Sequence, residues 1–170
     1  MKVLRAGQVT TLPDDLLTVF GADGDSIQQI EIRATAAFPE ATPIVWECDA
    51  ASFQFGYVSE AAAQLLGFPS EQWLEPMFWA EHVVAAEDRD DAVTYCALAT
   101  AKALDHMFEY RARAADGRVV WLRDFVKVVA RPGTASAVTL RGVMFDVTAE
   151  KLAHPAPTAE QRPSRSDLVA

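Results

Sequence analysis

The apolar residues of this chain change from a helical period of 3.6 to a strand period of 2 near residue 105, and this change constrains the fold most strongly. Residues 106–114, 118–130 and 137–147 carry the strand period. Ala-Asp-Gly at 115–117 predicts a three-residue hairpin loop, and Arg-Pro-Gly at 131–133 predicts a second turn. The sequence therefore predicts three long antiparallel strands in its C-terminal half.

The alternation divides the side chains of these strands between two faces. One face is predicted to point inward and carries Phe108, Tyr110, Leu122, Val126, Leu140 and Met144. Asp124 falls on the same face, where a carboxylate must be paired, hydrogen-bonded or neutralised. The hairpin loop places it opposite Phe108. Two interpretations stay open: Asp124 anchors a ligand, or a bulge, a backbone cap or an arginine satisfies it structurally.

The region before these strands predicts two short strands and then several helices. The strand-like runs cover 43–50 and 53–59, and a helix over 59–68 is expected to begin at the cap Ser59. The strongest helical pattern spans 87–104, with an acidic start. Its predicted inner stripe is Val93, Cys96, Ala97 and Leu104, with Thr100 or Ala101 between them. This order of elements predicts an α+β fold, one antiparallel sheet with helices on one face.

A second amphipathic pattern predicts an added N-terminal helix over 26–38, capped by Asp25 or Ser26 and stopped by Pro39. The outward strand face would be unusually apolar if it were exposed. The helix covers that face either from its own chain or from a second copy. The predicted dimer or partner face is therefore Ile27, Ile30, Trp121, Phe125, Val143 and Phe145.

Composition narrows the classes of partner. The net charge of −9 and the pI of about 4.7 disfavour nucleic acid. No apolar run approaches the roughly 20 residues that span a bilayer, and no signal peptide is recognisable, so no membrane contact and a cytoplasmic location are expected. Cys48 and Cys96 are predicted to be buried thiols rather than metal ligands. Residues 153–170 are predicted to be a disordered, Pro-rich tail.

Catalytic motifs do not occur in the sequence. It has no GxGxxG, P-loop, HExxH or calcium-loop pattern, and no Ser/His/Asp or Cys/His arrangement with supporting context. Scattered carboxylates do not by themselves form an acid/base pair. We therefore expect a binding function and no catalytic activity.

Four segments occur in a distinctive order: YVSEAAAQLLGF at 57–68, AEDR at 86–89, FEYRARAADGRVVWLRD at 108–124 and GVMFDVTAEK at 142–151. Together they resemble motifs of PAS domains, in the variety of the PAS fold-3 subfamily with the PAS-associated C-terminal motif. The resemblance implies a five-stranded antiparallel sheet wrapped by helices. It also implies a division into an N-terminal extension at 1–39, a PAS domain at 40–152 and the tail.

The resemblance further implies a ligand cavity between the sheet and the long helix. The inward strand residues, including Asp124, would line it. Val93 and Cys96 would close it from the helix side, and Trp79 and His82 would border it.

The resemblance also bears on cofactors, because some PAS domains hold flavin or haem. The segment 76–83 lacks the reactive cysteine of flavin photoreceptors, and Met144 stands where a glutamine would contact the flavin, so flavin photochemistry is not expected. Haem stays open through His82 or His106, since imidazole is a good axial ligand. No cofactor is predicted.

The expected function is that of a stand-alone PAS sensory module. The helix that normally leads from the Asp-Val-Thr junction into an output domain is interrupted at His154–Pro155. Such a module would bind a small apolar ligand or a protein partner, as a homodimer or with a signalling protein. The alternatives are a protein-interaction PAS domain with a filled core, or the sensor part of a histidine kinase or diguanylate cyclase.

Overall fold

Five antiparallel strands form a single sheet in the spatial order β2-β1-β5-β4-β3. The computed structural model describes residues 11–155. The strands are β1 (Ile44–Asp49), β2 (Phe55–Val58), β3 (His106–Arg113), β4 (Val119–Ala130) and β5 (Ala137–Asp146). Because β1 pairs with β5, the early pair of strands and the late group of three join at the centre of the sheet. The predicted α+β fold with a five-stranded antiparallel sheet is confirmed.

Helices cover both faces of this sheet. They are α1 (Asp14–Phe20), α2 (Ile27–Ala37), α3 (Ala61–Leu66), α4 (Ser70–Trp73), a π-helix (Trp79–Val83), α5 (Arg89–Ala101) and α6 (Thr148–Ala153). Ser26 begins α2 with a capping box: its hydroxyl accepts from the Gln29 amide, and the Gln29 side chain accepts from the Ser26 amide. The helix predicted over 26–38 is confirmed, with Ser26 as its cap.

The hairpin between β3 and β4 sets the register of the inward side chains. The Ala114 amide donates to the Arg118 carbonyl, so residues 115–117 form the predicted three-residue loop. Gly117 has a φ of 90°, a conformation that favours glycine. This loop places Phe108 opposite Asp124, as predicted.

One face of the sheet packs against α3, α4, the π-helix and α5. The buried side chains between this face and these helices form a cluster that we call the inner core. Its larger members are Ile44, Trp46, Cys48, Phe55, Val58, Leu66, Trp73, Phe78, Val83, Tyr95, Cys96, Phe108, Tyr110, Leu122, Val126, Val128, Leu140 and Met144. The predicted inward face of the three long strands therefore forms the floor of the main core.

The opposite face packs against α1 and α2 of the same chain. We call this second cluster the outer cluster. It consists of Leu12, Leu16, Val19, Phe20, Ile27, Ile30, Ala34, Val45, Phe125 and Val143. Arg33 joins the two helices, because its guanidinium donates to the Val19 and Phe20 carbonyls at 2.8 and 3.2 Å, at the C-terminal end of α1. The added N-terminal helix is thus part of the folded domain.

Two local predictions were wrong. Ser59 does not cap α3, because its hydroxyl instead accepts from the Val45 amide at 2.9 Å and ties the chain to β1. The inner stripe of α5 is Ala92, Tyr95, Cys96 and Thr100, so the predicted stripe was correct at Cys96 and Thr100 and wrong elsewhere. Val93 and Ala97 are only half-buried, and Leu104 lies beyond the helix and is exposed. The many alanines of α5 left the orientation of its apolar face poorly defined.

The helices were compared with the length and apolar character that a membrane-spanning helix needs. None of those within residues 11–155 is both long and apolar enough to cross a bilayer. Most of the tail predicted to be disordered, residues 156–170, lies outside the described residues.

Candidate functional site

A buried carboxyl group lies at the centre of the inner core. Asp124, in the middle of β4, is 1% exposed. Its Oδ1 accepts a hydrogen bond from the Trp46 indole N–H at 3.0 Å, and its Oδ2 lies 3.3 Å from the Tyr110 hydroxyl. Both partners are uncharged side chains of the protein. Structural neighbours therefore satisfy Asp124, although they are neither the arginine nor the bulge that the sequence left open.

Tyr110 extends this contact toward the π-helix. The Trp79 indole N–H donates to the Tyr110 hydroxyl at 3.0 Å, and their rings meet edge to face with centroids 5.6 Å apart. The same hydroxyl lies 3.7 Å from Met144 Sδ. Trp79, Tyr110, Asp124 and Trp46 thus form a continuous polar chain from the half-buried π-helix to β1.

Burial controls the charge of this polar chain. Loss of solvent raises the pKa of Asp124 to about 8, and the hydrogen bonds from Trp46 and Tyr110 offset only part of that rise. The carboxyl group is therefore mostly protonated at neutral pH. A protonated Oδ2 can donate to Tyr110, whose own proton is then available to Met144 Sδ.

The nearby groups respond to the same burial. Desolvation and then the neighbouring Asp124 raise the pKa of Tyr110 well above its ordinary value. The same two causes raise the pKa of the Cys96 thiol to about 12. Burial likewise raises the pKa of Cys48. Both cysteines are buried and free, as predicted, and neither is activated as a thiolate.

Gly142 gives the Trp46 side chain the room to reach Asp124. Trp46 pairs with Gly142 on β5, and Asp124 lies on the next strand, β4. A Cβ atom at Gly142 would lie only 1.9 Å from the indole Cε2 and 2.1 Å from Nε1. The indole therefore lies directly on the glycine backbone and crosses β5 to meet the carboxyl group. A side chain at position 142 would exclude this arrangement.

The strand side chains predicted to line a ligand cavity are buried in the inner core. Each of the following is at most 1% exposed: Phe108, Tyr110, Leu122, Asp124, Val126, Leu140 and Met144. The rings of Phe108 and Tyr110 lie 5.1 Å apart, and Trp79 packs edge to face against both. The inward orientation was predicted correctly, and a cavity between these residues stays a prediction. A ligand role for them stays a prediction.

Two surface clefts lie away from this centre. One, of about 280 Å³, lies between the end of α5 and the β4–β5 hairpin and is lined by Ala97, Thr100 and Ala137 among others. The other, of about 350 Å³, lies along β1 and β2 beside Glu47 and Gly56. Neither is lined by Asp124 or Tyr110.

The residues predicted to close the cavity from α5 and to border it differ in burial. Cys96 lies in the inner core, as expected. Val93 is half-buried and belongs to neither cluster, because α5 turns Ala92 and Tyr95 inward instead. Trp79 borders the core and reaches Tyr110, whereas His82 is exposed with its ring 5.1 Å from Phe78.

The two histidines considered as haem ligands lie in different environments. His106 is buried at the start of β3, and its Nδ1 lies 2.9 Å from the Leu104 carbonyl. Burial lowers its pKa, so the imidazole is neutral. The rings of Tyr95 and Phe108 pack against it at 5.7 and 5.8 Å, and a haem bound there would have to displace both. Residues 11–155 contain no group of three or more His, Cys, Asp or Glu side chains that could hold a metal ion.

The predicted partner face is largely covered by the chain itself. Ile27, Ile30, Phe125 and Val143 are buried in the outer cluster, and Phe145 packs against it between Phe38 and Phe125. Trp121 lies apart from these residues. The Arg111 guanidinium and the Lys151 ammonium lie 5.8 and 5.4 Å from its ring centroid, beside α6. Of the two sources considered for the cover, the structure uses the chain's own helices.

Trp46 and Tyr95 were not predicted from the sequence as parts of the central site. The signal for Trp46 was the unusual pairing of a large aromatic with a glycine on a neighbouring strand, and this depends on a register between distant segments. Tyr95 is one position from the predicted stripe of α5, where its size could have identified the buried face.

Comparison with known proteins agrees with this geometry. The family model of the PAS fold matches residues 55–144, more than half of the 170 residues. No curated protein matches. Among solved structures, the N-terminal domain of a diguanylate cyclase with PAS/PAC sensor from Marinobacter aquaeolei is 32% identical over 64% of this chain and 97% of that chain, with a TM-score of 0.59.

More distant structures share the fold alone. A sensory box histidine kinase/response regulator from Burkholderia thailandensis is 17% identical over 71% of this chain and 88% of that chain, with a TM-score of 0.57. A light-oxygen-voltage domain studied with a flavin analogue is 15% identical over 72% of this chain and 88% of that chain, with a TM-score of 0.56. The family match, the sheet order and the four motifs agree, and the chain belongs to the PAS fold family.

Proposed function

We propose that this PAS sensory domain acts by binding protein partners through its surface, without catalysis and with a filled interior. The observation that carries the proposal is the polar chain through Asp124. Its carboxyl oxygens contact Trp46 and Tyr110, and the Tyr110 hydroxyl contacts Trp79 and Met144, so the polar groups of Asp124 and Tyr110 are already engaged. A ligand that entered there would have to break these contacts and displace buried aromatic rings.

The surface of α2 supports a protein contact. Its inward stripe of Ile27, Ile30 and Ala34 is used by the outer cluster. Ile32 points away from that cluster and is 69% exposed, one helical turn after the exposed Gln28 and before the exposed Ala36. We assign this outward stripe to contact with a second copy of the chain. Because Ile27 and Ile30 are buried within the chain, the proposed dimer surface lies at Ile32 instead.

The experiment is to measure the mass of the purified full chain by native mass spectrometry and its oligomeric state by light scattering. The expected result is a dimer without a bound small molecule. Ile32→Glu should give a folded monomer whose melting temperature no longer depends on protein concentration. Gln28→Glu is the matched control for added charge on the same stripe. A small molecule that stays bound to the native chain, or a native chain that is monomeric, would overturn the proposal.

A second candidate is the sensor part of a diguanylate cyclase. It is favoured by the 32% identity to the domain from Marinobacter aquaeolei and by α6, which begins directly after β5. Arg123 holds α6 by donating to Glu150 at 2.7 Å. In a fusion that continues α6 into a cyclase domain, Ile32→Glu should change the rate of product formation. An unchanged rate would count against this role.

A further inference from the structure

The edge of the sheet at β2 carries an open cleft that the contacts described above do not use. This cleft, of about 350 Å³, is lined among others by Glu47, Asp49, Gln54 and Gly56. Arg141 pairs with Glu47 at 2.8 Å. Asp49 accepts hydrogen bonds from two backbone amides and the Ser52 hydroxyl and has no cationic partner within residues 11–155. A Cβ atom at Gly56 would meet no atom beyond its chain neighbours within 4 Å, so the space before it is open.

Two exposed apolar side chains extend this cleft toward the π-helix. Leu74 and Met77, between α4 and the π-helix, are 41% and 53% exposed. Gln54 connects them to the cleft, because it lines the cleft and its side-chain amide donates to the Leu74 carbonyl. Together these residues form what we call the β2-edge surface, which consists of Glu47, Asp49, Gln54, Gly56, Leu74 and Met77.

Carboxylates surround the apolar part of the β2-edge surface. Glu71, Glu75 and Glu81 are exposed, and none of them forms an ion pair in the part of the chain that the structure describes. Backbone hydrogen bonds hold two of them beside the apolar pair. The Leu74 amide donates to the Glu71 carbonyl, and the Glu81 amide donates to the Met77 carbonyl. The exposed apolar side chains therefore have an acidic rim.

The negative charge of the chain is concentrated in the segment that forms this surface. Residues 34–101 contain eleven Asp and Glu residues and one residue of the Lys and Arg class, Arg89. The Arg89 guanidinium is already engaged, because it donates to the Ala80 and Glu81 carbonyls at 2.6 and 2.9 Å. The segment therefore offers its exposed carboxylates no cation of its own.

We propose that the β2-edge surface binds a basic amphipathic helix of a partner protein. The apolar face of that helix packs on Leu74 and Met77, and its lysines or arginines contact the acidic rim and Asp49. Charge complementarity selects this occupant, because a nucleic acid, an anionic membrane or a second copy of this chain would bring more negative charge to the surface. The inference rests on the proposed function, since it names the class of protein partner, but it uses a different surface from α2.

The apolar contacts and the charges contribute differently to such a complex. Burial of Leu74 and Met77 supplies affinity in proportion to the apolar area removed from water. The exposed carboxylates mainly raise the rate of association and select the partner, and salt screens their effect. A lysine that reaches Asp49 can keep its aliphatic stem inside the cleft while its ammonium group contacts the carboxylate. The two contributions therefore require separate tests.

The test uses two synthetic peptides and the purified full chain. The first peptide repeats Leu-Lys-Lys-Leu-Leu-Lys-Leu and forms a helix with one apolar and one cationic face. The second has the same composition with its leucines distributed around the helix, so it keeps the charge and loses the apolar face. Titration calorimetry should show binding of the first peptide and about tenfold weaker binding of the second. Added salt should weaken both.

Two matched pairs of variants locate the binding surface. Leu74→Gln should weaken binding of the first peptide about fivefold, whereas Leu98→Gln, on α5 and 46% exposed, should leave it unchanged. Glu75→Lys should also weaken it about fivefold, whereas Glu40→Lys makes the same change of charge before β1 and should weaken it less than about twofold. All four positions are exposed, and an unchanged melting temperature confirms that each variant folds. Met77→Gln serves where Leu74→Gln does not fold.

Three results would overturn the proposal: no binding of the first peptide to the native chain, equal binding of the two peptides, or equal losses within both pairs of variants. The last would mean that net charge alone attracts the peptide. Ile32→Glu should bind the first peptide as tightly as the native chain, because α2 is not part of the β2-edge surface. A monomeric native chain that binds the peptide would overturn the proposed dimer and support this surface, whereas a dimer that does not bind it would do the reverse.

Discussion

The two apolar clusters on opposite faces of the sheet differ in what they bury. The outer cluster between the sheet and the N-terminal helices consists of apolar side chains. The inner core encloses Asp124, Tyr110, His106 and two thiols as well. Asp124 and Phe125 are adjacent on β4 yet serve opposite clusters. Because successive strand residues point to opposite faces, the titratable Asp124 belongs to the inner core and the apolar Phe125 beside it belongs to the outer cluster.

The largest expected effect is a dependence of inner-core stability on pH. Folding raises the pKa of Asp124 from 3.8 to about 8, so the folded state holds the proton more tightly than the unfolded chain. The stability from this group is complete below about pH 4 and is lost as the pH rises toward 8. Relative to Asp124→Asn, the free energy of unfolding should fall by about 1.4 kcal/mol per pH unit across that range. Urea denaturation of both chains at pH 4 to 8 measures it.

The comparison with Asp124→Asn isolates this group from the other carboxyl groups. Burial alone would raise the pKa of Asp88, but its hydrogen bonds with Arg111 and the Arg111 charge lower it overall. Hydrogen bonds from Ser52 and Ala51 lower the pKa of Asp49. Both groups therefore make the folded state more stable as the pH rises, in the native chain and in Asp124→Asn alike. Their effects cancel in the difference. A difference that stays constant between pH 4 and 8 would mean that Asp124 is ionised in the folded state.

The next largest effect is expected from a substitution that disrupts the outer cluster and leaves the inner core intact. Ile30 is 0% exposed on α2, and Ile30→Ala should lower the free energy of unfolding by about 3 kcal/mol through lost burial and a residual cavity. Ile32→Ala makes the same chemical change on the exposed side of the same helix and should cost less than about 0.5 kcal/mol at a protein concentration low enough for both variants to be monomers. Chemical denaturation compares the two. Similar losses in both variants would show that α2 does not pack on the sheet as described.

The strand faces could be predicted from the sequence because their causes are local. The period of 2 and the hairpin loop at 115–117 together fix the register of β3 against β4. From that register follow the burial of Asp124 and its position opposite Phe108. The apolar character of the outer face also predicted correctly that something must cover it.

The contacts of the candidate site could not be predicted because they join distant segments. Trp46 and Asp124 are 78 positions apart, and they meet only because Gly142 on the intervening strand lacks a side chain. Likewise, the pattern of α2 fits its own sheet and a second copy equally well. The choice depends on the connection from α2 to β1, whose geometry the apolar period does not encode.

The smallest effect sharpens the contrast between the two faces through a single hydroxyl group. Tyr110→Phe removes the partner shared by Trp79, Asp124 and Met144 and leaves polar atoms in the inner core unpaired. It should cost about 1 to 2 kcal/mol.

Tyr57→Phe is the matched change on the outer side, where the hydroxyl donates to Glu31 on the half-buried surface of α2. Water can replace that contact, so the loss should stay near 0.5 kcal/mol. Thermal denaturation of the two variants orders them. If Tyr57→Phe were the more costly, the polar chain would contribute less to the domain than the contact between α2 and the sheet. The inner core would then be stabilised by its aromatic packing rather than by its hydrogen bonds, because Tyr110→Phe keeps the ring and removes only the hydroxyl.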